Sequence, residues 1–151
     1  MVVGRTRPSF LREGEAFYLE RLKRYVKTDW VEVKAAGTTK GRPEEDAIRE
    51  EGSALAKRLR SGEIPVALDR TGTQYDSRGL ARWLEGLSGR ACGPICFMVG
   101  GPLGMSRELI RRAEAVVSLS RLTLTHEMVR LVLLEQLYRA CTIMAGERYH
   151  K

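Results

Sequence analysis

In FMVGGPLGMS, residues 97–106, an apolar run ends abruptly in Gly100-Gly101-Pro102-Leu103-Gly104. Glycines directly after a strand let a backbone come close to a phosphate, to another part of the chain or to a different ligand. The stretch lacks the Lys-Ser/Thr pair of a P-loop, and its glycine spacing is not GxGxxG. It also comes late in the chain, whereas the dinucleotide fingerprint occupies the first βα turn. Pro102 removes one N–H from the nest that an anion needs. Spacing alone favours a tight βα turn with no ligand; the alternative is a phosphate-free ligand held by backbone groups.

The pattern around this stretch alternates strands and helices. Ile95–Val99 leads in as a buried strand, and Ser106 is placed to cap a helix to about Ala115. Upstream, residues 9–27 put Phe10, Gly14, Phe17, Tyr18, Leu22, Tyr25 and Val26 on one helical stripe. Trp30–Ala35 alternates as a strand closed by Gly37. Pro43, in the N1 style, opens a helix with Ile48, Leu55 and Leu59 inward and Glu, Arg and Lys outward. Ile64–Leu68 is a short buried strand, Asp69-Arg70-Thr71-Gly72 a loop and Ser77–Leu87 a short helix. Val116–Leu124 reads as a strand, and Glu127–Ala145 is the longest helix, stopped at Gly146. Apolar strands alternating with helices predict one α/β domain over residues 1–151, a parallel sheet covered on both faces.

The last helix is apolar nearly all round, from Met128 through Leu131, Leu134 and Leu137 to Met144. Such a helix needs cover on every side. In a chain of 151 residues a second copy is a natural cover, which predicts a homodimer; a central core helix is the alternative.

Composition bounds the rest. No stretch approaches the length of a membrane span, and MVVGRTRPSF lacks the apolar core of a signal peptide, so a cytoplasmic protein with no membrane partner is expected. The three cysteines, Cys92, Cys96 and Cys141, have no CxxC spacing; neither a disulfide framework nor a metal site is expected, and small buried hydrophobes fit better. The net charge is +7, and 20 of the 26 basic residues are arginine. That balance suits a polyanion, unless the arginines pair with the acidic residues on helix faces.

Three stretches in order, FMVGGPLGMS, VVSLSRLTLTHEMVRLVLLEQLYRA and GERYHK, resemble the ribosomal large-subunit pseudouridine N3-methyltransferase family of the SPOUT superfamily. VALDRTG and the opening VVGR extend the resemblance to nearly the whole chain. It implies a C-terminal trefoil knot, which general folding rules would not suggest. It also implies a homodimer, S-adenosylmethionine as cofactor and the ribosome, through its 23S RNA, as partner. By resemblance the cofactor would be held by Leu68, by Gly100 and Gly101, and by Ser120, Arg121, Leu122, Thr123, Leu124 and Thr125; the last strand then ends near Leu119. S-adenosylmethionine carries no phosphate, so the missing P-loop lysine is no obstacle, and leucines beside backbone donors suit its adenine. Two departures stand out. Thr125 replaces the proline usual before the histidine, and is placed to cap the last helix. Only Met1-Val2-Val3 precede Gly4, so the first strand is short or the start lies upstream.

The resemblance also points to Tyr149 and His150 over the cofactor and target base, with His150 assisting N3 deprotonation or orienting the base. His126 is read as supporting the pocket, because a helix N-terminus disfavours positive charge. Arg139 either pairs with Glu135 at i,i+4 or holds RNA near the knot. Arg5, Arg7 and Arg12, and Arg107, Arg111 and Arg112, are candidate phosphate contacts. A knotted RNA-binding factor without chemistry is the competing reading; a Rossmann-like nucleotide enzyme is disfavoured by the glycine spacing.

Overall fold

The computed structural model describes residues 1–37, 41–90 and 93–150. Its elements are β1 (Val2–Val3), α1 (Ser9–Leu22), β2 (Glu32–Val33), α2 (Glu44–Arg58), β3 (Ile64–Thr73), α3 (Ser77–Arg90), β4 (Ile95–Val99), α4 (Arg107–Arg112), β5 (Ala115–Val117) and α5 (His126–Met144). The five strands form one sheet in the order β2-β1-β4-β3-β5, and every pair is parallel. Parallel strands are covered on both faces, which is why IPVAL and ICFMV read as unbroken apolar runs.

Alternate side chains divide the core into two layers. Val3, Ala67 and Met98 face α2 and α4, packing with Leu55 and Leu109. Val2, Val66, Leu68, Val99 and Val117 face the other way, onto Leu133 of α5. On that second side α5 lies between two helices. Leu134, Tyr138 and Cys141 pack with Leu22 of α1, while Ala140 packs with Leu80, Ala81 and Leu84 of α3. Gly14 lets α1 close on α5, since a Cβ there would stand 2.8 Å from Leu131 Cδ1. The cover that this helix demands therefore comes largely from α1, α3 and the sheet. A hydrophobic pattern alone cannot distinguish that arrangement from a second copy.

Several boundaries differ from the sequence reading. Helix α1 ends at Leu22, so Tyr25 and Val26 lie beyond it; Phe10 and Phe17 are 65% and 49% exposed and do not belong to a buried stripe. Strand β2 keeps only Glu32 and Val33 of the expected 30–35. Pro43 is the N-cap of α2, with the first helical residue at Glu44. Helix α3 runs to Arg90. Helix α4 stops at Arg112, because Ala113 turns extended into β5. β5 itself ends at Val117, where the Ser118 hydroxyl donates to the Ser120 carbonyl at 3.0 Å and bends the chain away. β3 continues to Thr73, but its ladder is interrupted: Leu68 and Thr73 both pair with Val117. The intervening Asp69–Gly72, read as a loop, is thus an excursion within an extended strand. Cys92 lies outside the described residues.

The caps follow the sequence reading. Ser106 Oγ accepts from the Leu109 amide at 3.2 Å, and Thr125 Oγ1 accepts from the Met128 amide at 3.2 Å. Gly146, at φ +69°, closes α5. Its N–H donates to Ile143 at 3.0 Å and the Glu147 N–H to Thr142 at 2.9 Å, a Schellman arrangement that only a residue tolerant of positive φ completes without strain.

Candidate active site

The sheet register places three strand ends at one level. Leu68 of β3 stands opposite both Val99 of β4 and Val117 of β5. The segments that follow, Asp69–Gly72, Gly100–Met105 and Ser118–Thr125, therefore leave from adjacent positions at the carboxyl edge of a parallel sheet, where open α/β sheets take their ligands.

The glycine segment is a closed turn. The Gly104 N–H donates to the Gly101 carbonyl at 3.0 Å, Pro102 suits the second position of such a turn, and Gly104 has φ +90°. Gly100 is required because a Cβ there would run into the Gly104 carbonyl. At Gly101 a Cβ would stand 2.6 Å from Oε2 of Glu51. Both glycines thus make room for the chain itself. Glu51 is only 6% exposed and its Oε1 accepts from the Ala36 amide at 3.0 Å. Sequence reading placed the acids of α2 in solvent. The available signal was position: Glu51 lies three residues after Ile48 and four before Leu55, on the inward stripe.

The third segment is tied to the first. The Ser118 N–H donates to the Thr73 carbonyl at 2.9 Å, and a Cβ on Gly72 would lie 2.6 Å from the Val116 backbone. Ser120 Oγ accepts from the Leu122 amide at 2.9 Å, fixing a short turn through Arg121. Beyond it, Leu122 is 76% and Leu103 41% exposed. Leu68 is buried beneath this edge, while Arg121 and Thr123 are exposed and Leu124 is half-buried. Apolar side chains standing out of the core beside close-packed backbone are the kind of surface that takes the flat apolar part of a ligand.

The C-terminal tail folds back on α5. Glu135 holds Arg139 in an ion pair and accepts from the Tyr149 hydroxyl at 3.2 Å. The Arg139 guanidinium lies 4.8 Å from the Tyr149 ring centroid, and Tyr149 meets Tyr138 edge-on at 4.8 Å. Burial is the main reason the Tyr149 phenol titrates well above its usual range. Tyr25 donates to Glu147 at 2.7 Å, and that bond pushes its pKa to about 12. His150 is half-buried. The structure brings Arg139 and Tyr149 together, with His150 next in sequence, but it leaves them apart from the carboxyl edge of the same chain. Glu135 is about 14 Å along α5 from His126, at about 1.5 Å per residue, and α5 runs from that edge towards Ile95 and Phe97.

At the start of α5, burial and the neighbouring Arg130 charge hold the His126 pKa below its ordinary value. A neutral imidazole suits a helix N-terminus and a supporting role. Arg130 itself was not singled out in the sequence, yet it is fully buried. Its Nη1 donates to the Gly4 carbonyl at 3.1 Å and to Thr6 Oγ1 at 2.9 Å, its Nη2 donates to the Val3 carbonyl, and among the described residues its Nε has no partner. Nothing in local spacing separates such an arginine from one exposed on a helix.

Of the expected phosphate contacts, Arg5 pairs with Glu32 at 3.4 Å and Arg112 with Glu108 at 3.9 Å. The Arg7 amide donates to Glu127. Arg7, Arg12, Arg107 and Arg111 are exposed. Among the described residues no group of three or more His, Cys, Asp or Glu is placed to hold a metal. No described helix is long and apolar enough to cross a membrane.

The fold and its edge define an α/β protein with a parallel sheet and three strand-end loops gathered at its carboxyl edge. A family model described as "Predicted SPOUT methyltransferase" matches residues 1–150, and the chain belongs to that family of methyltransferases. It is 46% identical over 153 residues to a protein of Rubrobacter xylanophilus, covering 99% of this chain and 95% of the relative. Identity is 40% to a protein of Desulfotalea psychrophila, covering 100% of this chain and 97% of the relative. It is 43% to one of Anaeromyxobacter sp., with 100% and 97% covered. All three relatives are named ribosomal RNA large subunit methyltransferase H.

Proposed function

We propose that this protein methylates N3 of a pseudouridine in large-subunit ribosomal RNA, acting on the assembled ribosome with S-adenosylmethionine as cofactor. The observation that carries the reading is the alignment of Leu68, Val99 and Val117 at one sheet edge, in a chain whose family is one of methyltransferases. Leu68, Gly100, Gly101 and Ser120–Thr125 would hold the cofactor, Leu122 and Leu103 walling its adenine and loop backbone groups meeting the ring nitrogens. S-adenosylmethionine supplies an electrophilic methyl group on a sulfonium.

The chain's own task is to position the acceptor and remove the N3 proton. His150 takes that proton or orients the base. Tyr149 packs on the base, with Arg139 held by Glu135 at its side. Tail and cofactor edge lie apart within one chain, and a homodimer supplies a second tail to each edge. Exposed Phe10 and Phe17 on α1, beside α5, support such an interface. The trefoil knot is expected in the threading of the three loops; the close passage of Gly72 over Val116 agrees with it. The cytoplasm, where ribosomes work, is the expected location.

The test is incubation with labelled S-adenosylmethionine and ribosomes from cells lacking the enzyme, with free ribosomal RNA as control. Label in intact ribosomes and not in free RNA supports the reading. Label in neither, with cofactor binding intact, replaces it with a binding factor without chemistry.

A further inference from the structure

We propose that the connection from β3 to α3 is an RNA-gripping surface, in which Arg70 holds a backbone phosphate and Tyr75, braced by Trp83, stacks on a base. The inference rests on ribosomal RNA being the substrate. Arg70 stands exposed on the excursion between Leu68 and Thr73, at the carboxyl edge itself. Among the described residues, no carboxylate is within ion-pair distance of it. The two acids of the connection, half-buried Asp69 and exposed Asp76, are engaged in hydrogen bonds with neighbouring residues of the chain. Asp69 accepts from the Thr71 amide at 2.9 Å and its hydroxyl at 2.6 Å, and Asp76 accepts from the Gly79 amide at 2.5 Å. Their conformations are fixed while the guanidinium is left outward.

Tyr75 follows two residues after the ladder resumes. Its ring is stacked on Trp83, with centroids 5.5 Å apart and planes at 23°, and it remains 37% exposed. A ring backed on one face and open on the other is a ready platform for an unpaired base. Arg78 and Arg82 continue the positive strip along α3, exposed at i,i+4. Like charges at that spacing disfavour the isolated helix, and a polyanion reverses the sign. The neighbouring Ser118–Thr125 segment, tied to this one by the Ser118–Thr73 hydrogen bond, adds Arg121. The surface thus borders the edge where the target base must arrive.

The test measures binding of wild type, Arg70→Gln, Tyr75→Leu and Tyr75→Phe to ribosomes by co-sedimentation across a KCl series, with circular dichroism and melting temperature as the control for folding. Arg70→Gln is expected to weaken binding several-fold and to flatten the log-log salt dependence by roughly one phosphate contact. Tyr75→Leu is expected to bind about tenfold more weakly and Tyr75→Phe as wild type, since stacking needs the ring alone. Wild-type binding by both Arg70→Gln and Tyr75→Leu overturns the proposal. Weaker binding by Arg70→Gln with an unchanged salt slope also overturns it, assigning the surface to a ribosomal protein. Label transfer by the wild type in the same samples tests the methylation reading separately: salt-sensitive binding lost in these variants, without transfer, refutes that reading and leaves the RNA surface standing.

Discussion

The guanidinium of Arg130 in α5 donates to the carbonyl oxygen of Val3 at the end of β1, spanning 127 positions of sequence. With its bonds to Gly4 and Thr6, it fastens the helix that follows the Ser120–Thr125 loop to β1, the strand next to the β2 edge of the sheet. Thr6 in turn donates to buried Glu15 at 2.6 Å, so one polar chain joins β1, α1 and α5. Arg130→Met keeps the stem's bulk but strands the Val3 and Gly4 carbonyls. The expected loss is about 3 kcal/mol in urea unfolding, the sum of unpaired buried acceptors. A loss under about 1 kcal/mol contradicts the role.

The two turn glycines differ in what opposes a side chain. At Gly100 the obstacle is the Gly104 backbone carbonyl; at Gly101 it is the end of the Glu51 side chain. Gly100→Ala should therefore cost more, about 2–3 kcal/mol, than Gly101→Ala. Shortening the obstacle with Glu51→Asp should recover part of the Gly101→Ala loss and none of the Gly100→Ala loss. Thermal unfolding of the three single and two double variants decides it; equal costs, or no coupling between 51 and 101, refute the packing role.

Leu122 separates ligand binding from folding. Its side chain is 76% exposed, so Leu122→Ala should leave stability within about 0.5 kcal/mol. The same change should weaken S-adenosylmethionine binding several-fold in calorimetry. Wild-type affinity removes Leu122 from the cofactor wall.

His126 sets a pH dependence. Burial, then Arg130, then Arg7 push its pKa below the ordinary 6.5, with Glu127 opposing. The unfolded chain therefore binds this proton more readily than the folded one. The stability that neutral His126 confers is present above about pH 6.5 and is lost as pH falls through the lower folded value. Melting temperature should drop from pH 7 towards pH 5, and His126→Gln should flatten that slope. An unchanged slope in the variant assigns the acid loss to other groups.

How far the sequence could be read follows from which signals are local. The buried strands at 64–68 and 95–99, the caps at Ser106 and Thr125 and the stop at Gly146 depend on a few neighbouring residues, and each lies where the pattern placed it. Glu51 and Arg130 were missed because a charged residue in a helix ordinarily faces water, and their burial depends on Ala36 and Val3, distant in the chain. Phe10 and Phe17 misled for the converse reason, apolar residues left exposed on α1. The loop edge proposed to hold the cofactor was singled out through motif resemblance. Its close-packed glycines serve the chain itself, a distinction that only three-dimensional contacts reveal.

Digesting the RNA of ribosomes treated with the wild-type protein and with His150→Ala, and identifying the methylated nucleoside by mass spectrometry, tests the reaction itself. Wild type should give one new 3-methylpseudouridine per large subunit. His150→Ala should give it at least tenfold more slowly at unchanged cofactor affinity. Methyl on another atom or base, or wild-type rate without His150, contradicts the proposed reaction.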